Sequence, residues 1–349
     1  MAQLKNVANA ILQQKNRVAR VVTEKYFERR PELASRWGEA GVKRCTEDTE
    51  YHLAYLAEAV RFDSPALFLD YIGWAKVLLS SLRIAETDLI ENLELMRQEL
   101  RKVDGETFEP ADRIIELAVA AIPKMPTEPE SPLKPGEPLH DVANEWVGLL
   151  LRKEAREARQ LIMSSVKSGT RILEIYEHVL TPSLHEVGRL WQLRRITEAE
   201  EHYCSQVTQH VLALLSAQIA PPRNKKTALG FCVGNEPHDV GIRIVMDCFA
   251  VHGWGAVCLG ANVPMRNIPS MLQQWAPDVV AISTTMTYNL AETEMIIQRV
   301  KSESGANRKQ PMILVGGRPF NISPELQKVM GADFTAQSCP QVITCAPAE

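Results

Sequence analysis

The chain of 349 residues has few aromatic side chains, 6% of the total, and no charge of one sign in excess. Its 39 lysines and arginines are set against 43 aspartates and glutamates, for a formal net charge of −4. That balance leaves no global basic face and argues against nucleic acid or an anionic membrane as a default partner. No apolar run approaches the roughly 20 residues that span a bilayer. The N-terminal MAQLKNVANAILQQKNR is amphipathic and lacks the apolar block and small-residue cleavage site of a secretory signal. A cytoplasmic protein without a membrane partner is expected. Cysteine is sparse as well: Cys45, Cys204, Cys232, Cys248, Cys258, Cys339 and Cys345 are odd in number and never in CxxC spacing. This predicts reduced packing residues rather than disulfides or a zinc site.

Strand signals are missing from residues 1–122. Helical spacing is there instead, in TEDTEYHLAYLAEAV after an expected N-cap at Thr46, in PALFLDYIGWAKVLLSSL and in ETDLIENLELMRQELRKV. An all-helical domain is expected over 1–122. Residues 123–140 form a linker in which Pro123, Pro126, Pro129, Pro132, Pro135 and Pro138 recur at every third position. Polyproline II has three residues per turn, so this spacing predicts a stiff extended rod. Residues 141–220 carry apolar positions three and four apart in segments that fit four antiparallel helices, with a break near Arg152 and a capping box from Thr197 to Glu200.

From Pro221 the period changes. TALGFCV, GAVCL, PDVVAIS, PMILVGG and ADFTAQ are short β-branched runs with helical patterns between them. They predict a Rossmann-like, doubly wound, five-stranded parallel sheet over 221–349, with ligands at the carboxyl ends of the strands. A last covering helix is barely represented in the tail QSCPQVITCAPAE. The polar loops GNEPHDVG, GANVP, STT and GGRP fall at those strand ends, which puts His238 where a ligand would lie.

Around His238 the chain reads Glu236-x-His238-x-x-Gly241. Ser283 follows Gly241 after 41 residues, then Thr285, and Gly316-Gly317 end the next strand. This pattern resembles cobalamin-binding domains of the methionine synthase and methylmalonyl-CoA mutase type. It departs from the mutases in having glutamate at position 236 rather than aspartate. The resemblance implies that His238 is the lower axial ligand of cobalt, with Glu236 orienting its ring. Gly241, Gly316 and Gly317 would make room for the displaced nucleotide tail, and Ser283 and Thr285 would offer it hydroxyls. The residue types suit those roles: a corrin supplies the equatorial nitrogens, leaving axial places that neutral imidazole fills, and a carboxylate fixes the imidazole tautomer.

Upstream, Trp191 is followed after nine residues by Glu201-His202. W-x9-E-H resembles the four-helix bundle of CarH-type photoreceptors, which implies that Trp191 covers the upper face of cobalamin, with Glu201 and His202 beside it. Gln192 stands where that family has a cobalt-capturing histidine, and residues 1–122 lack its MerR-like DNA-binding pattern, so no direct DNA binding is expected. A helical domain ahead of such a bundle resembles photocobilins, which add a bilin held by a globin-like domain. His52 with Tyr55 and Tyr71 with Trp74, each pair three apart, could line biliverdin or be ordinary core aromatics and a surface histidine; Cys45 is the domain's only cysteine. The expectation is therefore a non-enzymatic light sensor using cobalamin, in the adenosyl form in the dark. It would signal through homo-oligomerisation or an unidentified protein partner. A corrinoid carrier for methyl transfer and a cobalamin-based redox sensor are the alternatives.

Overall fold

The computed structural model describes residues 2–104, 107–303 and 310–345, and no described helix is long and apolar enough to cross a membrane. The chain divides into compact units at 1–128 and 129–349.

The first unit is helical: α1 (Ala2–Arg29), α2 (Pro31–Arg61), α3 (Pro65–Ser81), α4 (Glu86–Asp104) and α5 (Glu109–Ala121). Apolar stripes build its core from Ile11, Val18 and Val22 of α1, Leu53 and Leu56 of α2, Ile72 of α3, Leu93 and Met96 of α4, and Ile115 of α5. The expected helix start at Thr46 is corrected. α2 begins at Pro31 and passes through Gly38, whose φ of 62° marks a kink, and the Thr46 hydroxyl bonds back to the Val42 carbonyl at 3.1 Å from inside the helix. A threonine can satisfy its hydroxyl in mid-helix this way, which makes it resemble a cap in sequence.

Asp112 of α5 receives both Arg97 (2.8 and 3.0 Å) and Arg101 (2.5 and 2.8 Å) of α4. The Arg97 hydrogen bond chiefly, with Arg101 adding to it, holds the Asp112 carboxyl down at about 2. A carboxyl depressed in the folded state contributes stability that is complete above its unfolded value, near 4, and is lost as pH falls toward 2. In urea titrations, Asp112→Asn should therefore be less stable than wild type at pH 7 and match it at pH 2.

The second unit opens with the proline-rich segment, and here the extended rod is corrected. Residues 132–139 turn rather than run straight: Gly136 has φ 90°, Leu139 has φ 56°, and the Glu137 amide bonds to the Lys134 carbonyl. Leu133 packs on the core of the following helices, and the Ser131 hydroxyl donates to Glu186 at 2.9 Å. Burying Leu133 and turning at Gly136 override the proline period.

Four helical stretches follow. They are α6 (His140–Leu151); α7 (Ala155–Lys167); α8 (Ile172–Ile175), continuing through a π-helical turn (Tyr176–Leu180) into α9 (Thr181–Gln192); and α10 (Glu198–Ser216), whose capping box is formed by Thr197 and Glu200. They close on Trp146, Leu150, Ile162, Tyr176, Leu180, Val187, Val211 and Leu215.

The sheet consists of β1 (Thr227–Cys232), β2 (Gly255–Gly260), β3 (Val279–Ser283), β4 (Met312–Gly316) and β5 (Phe334–Thr335) in the order β2-β1-β3-β4-β5, all parallel. The helices between and after the strands are α11 (Val240–Val251), α12 (Ile268–Trp275), α13 (Leu290–Glu303), α14 (Arg318–Ile322), α15 (Leu326–Met330) and α16 (Cys339–Cys345). The strand order reverses between β1 and β3, so their following loops diverge and open a crevice.

The tail is a third correction, because α16 covers the sheet beside α11 through Val342; its residues 346–349 lie outside the described residues. The cysteine reading is a fourth: Cys248 of α11 and Cys339 of α16 form a disulfide across 91 residues of sequence. Chain folding brings them together, not any local motif.

Candidate functional site

Glu236 fastens the crevice together. It sits in the loop after β1, fully buried, and its Oε2 accepts the amides of Thr285 (3.1 Å) and Met286 (2.8 Å) and the Asn289 side chain (3.4 Å), all beyond β3. Its other oxygen, Oε1, is hydrogen-bonded to His238 Nδ1. Burial pushes the Glu236 carboxyl up, but His238 and the two amides outweigh it and hold the group below the usual carboxylate range. Glu236 is thus an anion that needs no solvent, and a charge-assisted bond of this kind orients its partner firmly.

The ring it orients faces outward. The His238 side chain is 53% exposed, and Nε2 has no hydrogen bond to protein among the described residues. The hydrogen bond it donates to Glu236 raises its proton affinity, burial opposes this, and the charge of Glu201 adds to it. Glu201 on α10 therefore lies within electrostatic reach of the β1 loop. With Nδ1–H given to Glu236, the Nε2 lone pair is the one left for a ligand.

The neighbouring strand ends carry the other expected residues. Register aligns Cys232 with Ser283 and Ser283 with Gly316, so the hydroxyl and the glycine sit side by side at the top of β3 and β4. Gly317 has φ 109°, and a Cβ there would lie 2.0 Å from the Thr284 carbonyl oxygen, so glycine is required for the two loops to touch. Gly241 differs: a Cβ would meet nothing within 4 Å, which leaves open space at the first turn of α11. Thr285 takes part through its backbone amide, a function that its side chain did not advertise.

The helices α6–α10 cover this edge. Val240 and Ile244 of α11 pack against their core. Asp247 accepts Tyr176 at 2.6 Å and Ser216 at 2.8 Å, while Asp239 accepts Gln209 at 3.2 Å. His185 on α9 lies within electrostatic reach of Arg318 at the β4 end. Surrounding protein first, and the Arg318 charge second, lower its proton affinity, although the residue keeps contact with solvent. Trp191 is half-buried near the end of α9, and Gln192 beside it is 6% exposed. His202 is not brought to the crevice by any hydrogen bond or ion pair among the described residues. Its side chain is 68% exposed and bonds Glu201 of its own helix at 2.6 Å.

Sequence reasoning missed Met286, Asn289, Tyr176, Asp247, Ser216, Gln209 and His185. Backbone amides carry no sequence signal, and nothing in the sequence marks Asp239 and Asp247 as the carboxylates that bind α10 and Tyr176.

The residues present suit a corrin. A neutral imidazole is presented by its Nε2, its other nitrogen is fixed by a buried carboxylate, and an open glycine turn stands next to it. Comparison with known proteins agrees. Residues 226–338 match the B12 binding domain family, and residues 142–216 match a second family of B12 binding domains. Trimethylamine corrinoid protein 1 of Methanosarcina mazei is 22% identical over 191 residues, 54% of this chain and 87% of that protein. The HTH-type transcriptional repressor CarH of Myxococcus xanthus is 26% identical over 141 residues, 40% of this chain and 46% of that protein. The fold matches the monomethylamine corrinoid protein of Methanosarcina barkeri, with a TM-score of 0.52 at 18% identity, covering 60% of this chain and 98% of that one. Residues 142–216 and 226–338 are thus B12-binding domains, and the chain is a cobalamin-binding protein.

Proposed function

We propose that the protein is a non-enzymatic light sensor that binds cobalamin with its own base displaced and His238 in the lower axial place. The observation that carries the lower face is the buried Glu236 carboxylate, which fixes Nδ1 of His238 and leaves Nε2 for cobalt. The cofactor, taken as adenosylcobalamin in the dark, supplies a cobalt–carbon bond that light can cleave. The chain's residues do the rest. Trp191 would shield the bound cofactor from water and Glu201 would offer it a carboxylate. Tyr176 and Ser216 hold helices α6–α10 to α11 through Asp247, so a change at the upper face shifts their packing. A bistable contact of this kind turns loss of a ligand into altered self-association or partner binding.

Support for light sensing rather than simple carriage comes from the W-x9-E-H spacing on α9 and α10 and from similarity to CarH. Biliverdin remains part of the proposal, held by the first unit. In that unit His52 is not the surface histidine its sequence allowed: it is buried, bonds Tyr71 at 2.8 Å and is pushed down to about 4 by burial, so it is neutral. Tyr55 stacks on Tyr71 at 3.7 Å, which leaves no space for a flat ring between those two. A bilin would instead lie along the outer edge of the stack, near Tyr51 and Trp74, which are 49% and 36% exposed. Co-expression with haem oxygenase should then give a near-red absorption band.

The second reading, a methyl carrier, is favoured by the similarity to the trimethylamine corrinoid protein over 87% of that protein. One experiment separates the two. Protein loaded with adenosylcobalamin should change both absorption spectrum and particle size under green light. Unchanged spectra and size, with loss of the methyl group to an acceptor in the dark from a second sample loaded with methylcobalamin, would favour carriage.

A further inference from the structure

One face of the sheet is covered by α11 and α16 and mixes the small Ala228, Cys232 and Ala281 with the larger Val279, Leu314 and Phe334. Register places Gly230 beside Ala281 in the middle of that face, and Cys232, Ser283 and Gly316 in a row at its top. Gly230 and Ala281, with Cys232, Ser283 and Gly316 above them, form a low strip in the face of the sheet, a trough beside the His238 loop that is bounded by Leu314 next to Ala281 and by Val279 below it. Its lower part is filled by Met246 of α11: a Cβ on Gly230 would lie 2.3 Å from Met246 Sδ and 3.1 Å from Ile242 Cδ1. A glycine inside a strand marks close approach by another group, and methionine is the apolar side chain that moves aside most readily.

A displaced nucleotide tail leaving the lower face beside His238 meets this trough first. Met246 and the helices α11 and α16 close its lower part. Cys248, two residues from Met246, is bonded to Cys339 of α16, and their Cα atoms are 5.7 Å apart. Both residues are buried, and Val342 and Phe249 pack around them. The covalent link therefore holds together the two helices that flank the trough. Disulfides inside reducing cells tend to be transient and redox-sensing rather than structural.

We propose that the Cys248–Cys339 disulfide is a gate on cobalamin loading. Oxidised, it keeps α16 on α11 and the trough shut over Met246; reduced, it lets α16 separate so that the nucleotide tail displaces Met246. Opening breaks one S–S bond and forms two S–H bonds. The two electrons and two protons come from two molecules of a small thiol, which leave joined as their own disulfide. This rests on the reading that His238 displaces the base.

The test uses the full chain freed of cofactor. One sample is kept oxidised and the other is reduced with dithiothreitol, which is then removed without air; mass analysis after alkylation verifies both states. Each is mixed with methylcobalamin in the dark, and the absorption change on axial exchange is timed. The reduced protein should load at least about tenfold faster, equivalent to ~1.4 kcal/mol in the barrier. Cys248→Ser and Cys339→Ser, checked for native circular dichroism, should each load at the reduced rate with or without thiol. Equal rates for the oxidised and reduced wild type would overturn the gate, as would a cysteine pair that stays as thiols under oxidant or folded variants that load slowly. In those cases the His238-dependent absorption change would persist, leaving the His238 reading intact. If neither form binds, or if His238→Ala gives the same absorption change, the His238 reading fails and the gate with it.

Discussion

Glu236→Gln should weaken cobalamin binding by roughly 10- to 100-fold, the range found when the partner that orients a metal-binding histidine is lost. The change is one atom, and its effect follows from proton bookkeeping. Thr285, Met286 and Asn289 all donate N–H to Oε2, so the amide of the variant must turn its oxygen to them. Its NH2 then faces His238 Nδ1, the position Oε1 held. An amide N–H can only donate, so Nδ1 becomes the acceptor and the ring proton moves to Nε2. The nitrogen that should hold cobalt loses its free lone pair. His238→Ala removes the nitrogen altogether and should cost more. Equilibrium titration by absorbance checks both, and the ordering wild type, then Glu236→Gln, then His238→Ala is the expected result.

Gly317→Ala should cost about 3 kcal/mol or more and should lower cobalamin affinity along with stability. A residue with a Cβ held at φ 109° is strained by about 1–3 kcal/mol, and the methyl would also lie 2.0 Å from the Thr284 carbonyl oxygen. Thr284 must then move, and the next residue, Thr285, donates its amide to Glu236. The disturbance therefore reaches the carboxylate that orients His238. Gly316→Ala is the control, since its Cβ would sit at an ordinary 3.6 Å from the Ala336 carbonyl oxygen. Urea unfolding of both variants and of wild type should show a large loss at 317 and a small one at 316.

Most of the second unit was legible because its signals are periodic. Five β-branched runs between helical patterns specify a doubly wound sheet, and the Glu236, His238, Ser283 and Gly316 spacings fall on its strand ends. Misreadings arose where a residue has two ways to satisfy itself. Thr46 reads as a cap but bonds back inside α2, and the prolines read as a rod, although Leu133 gains more by packing on the helices beside it. What was illegible was long-range or carried by backbone. The amides of Thr285 and Met286 have no sequence signature, and the Cys248–Cys339 pair has no spacing motif. Likewise nothing in the sequence marks Asp247 until Tyr176 and Ser216 are folded against it. His202 marks the converse case, since its spacing from Trp191 is suggestive but its side chain faces solvent, 68% exposed.

Every functional step depends on His238 Nε2 reaching cobalt. The most direct measurement is electron paramagnetic resonance of the protein loaded with cobalamin and reduced by one electron, prepared with histidine carrying the heavy nitrogen isotope. Axial coordination by His238 predicts that each cobalt line is split into a doublet by the labelled imidazole, and that His238→Ala abolishes that doublet. A triplet, the signature of ordinary nitrogen from the cofactor's own base, in the labelled wild-type protein would contradict it.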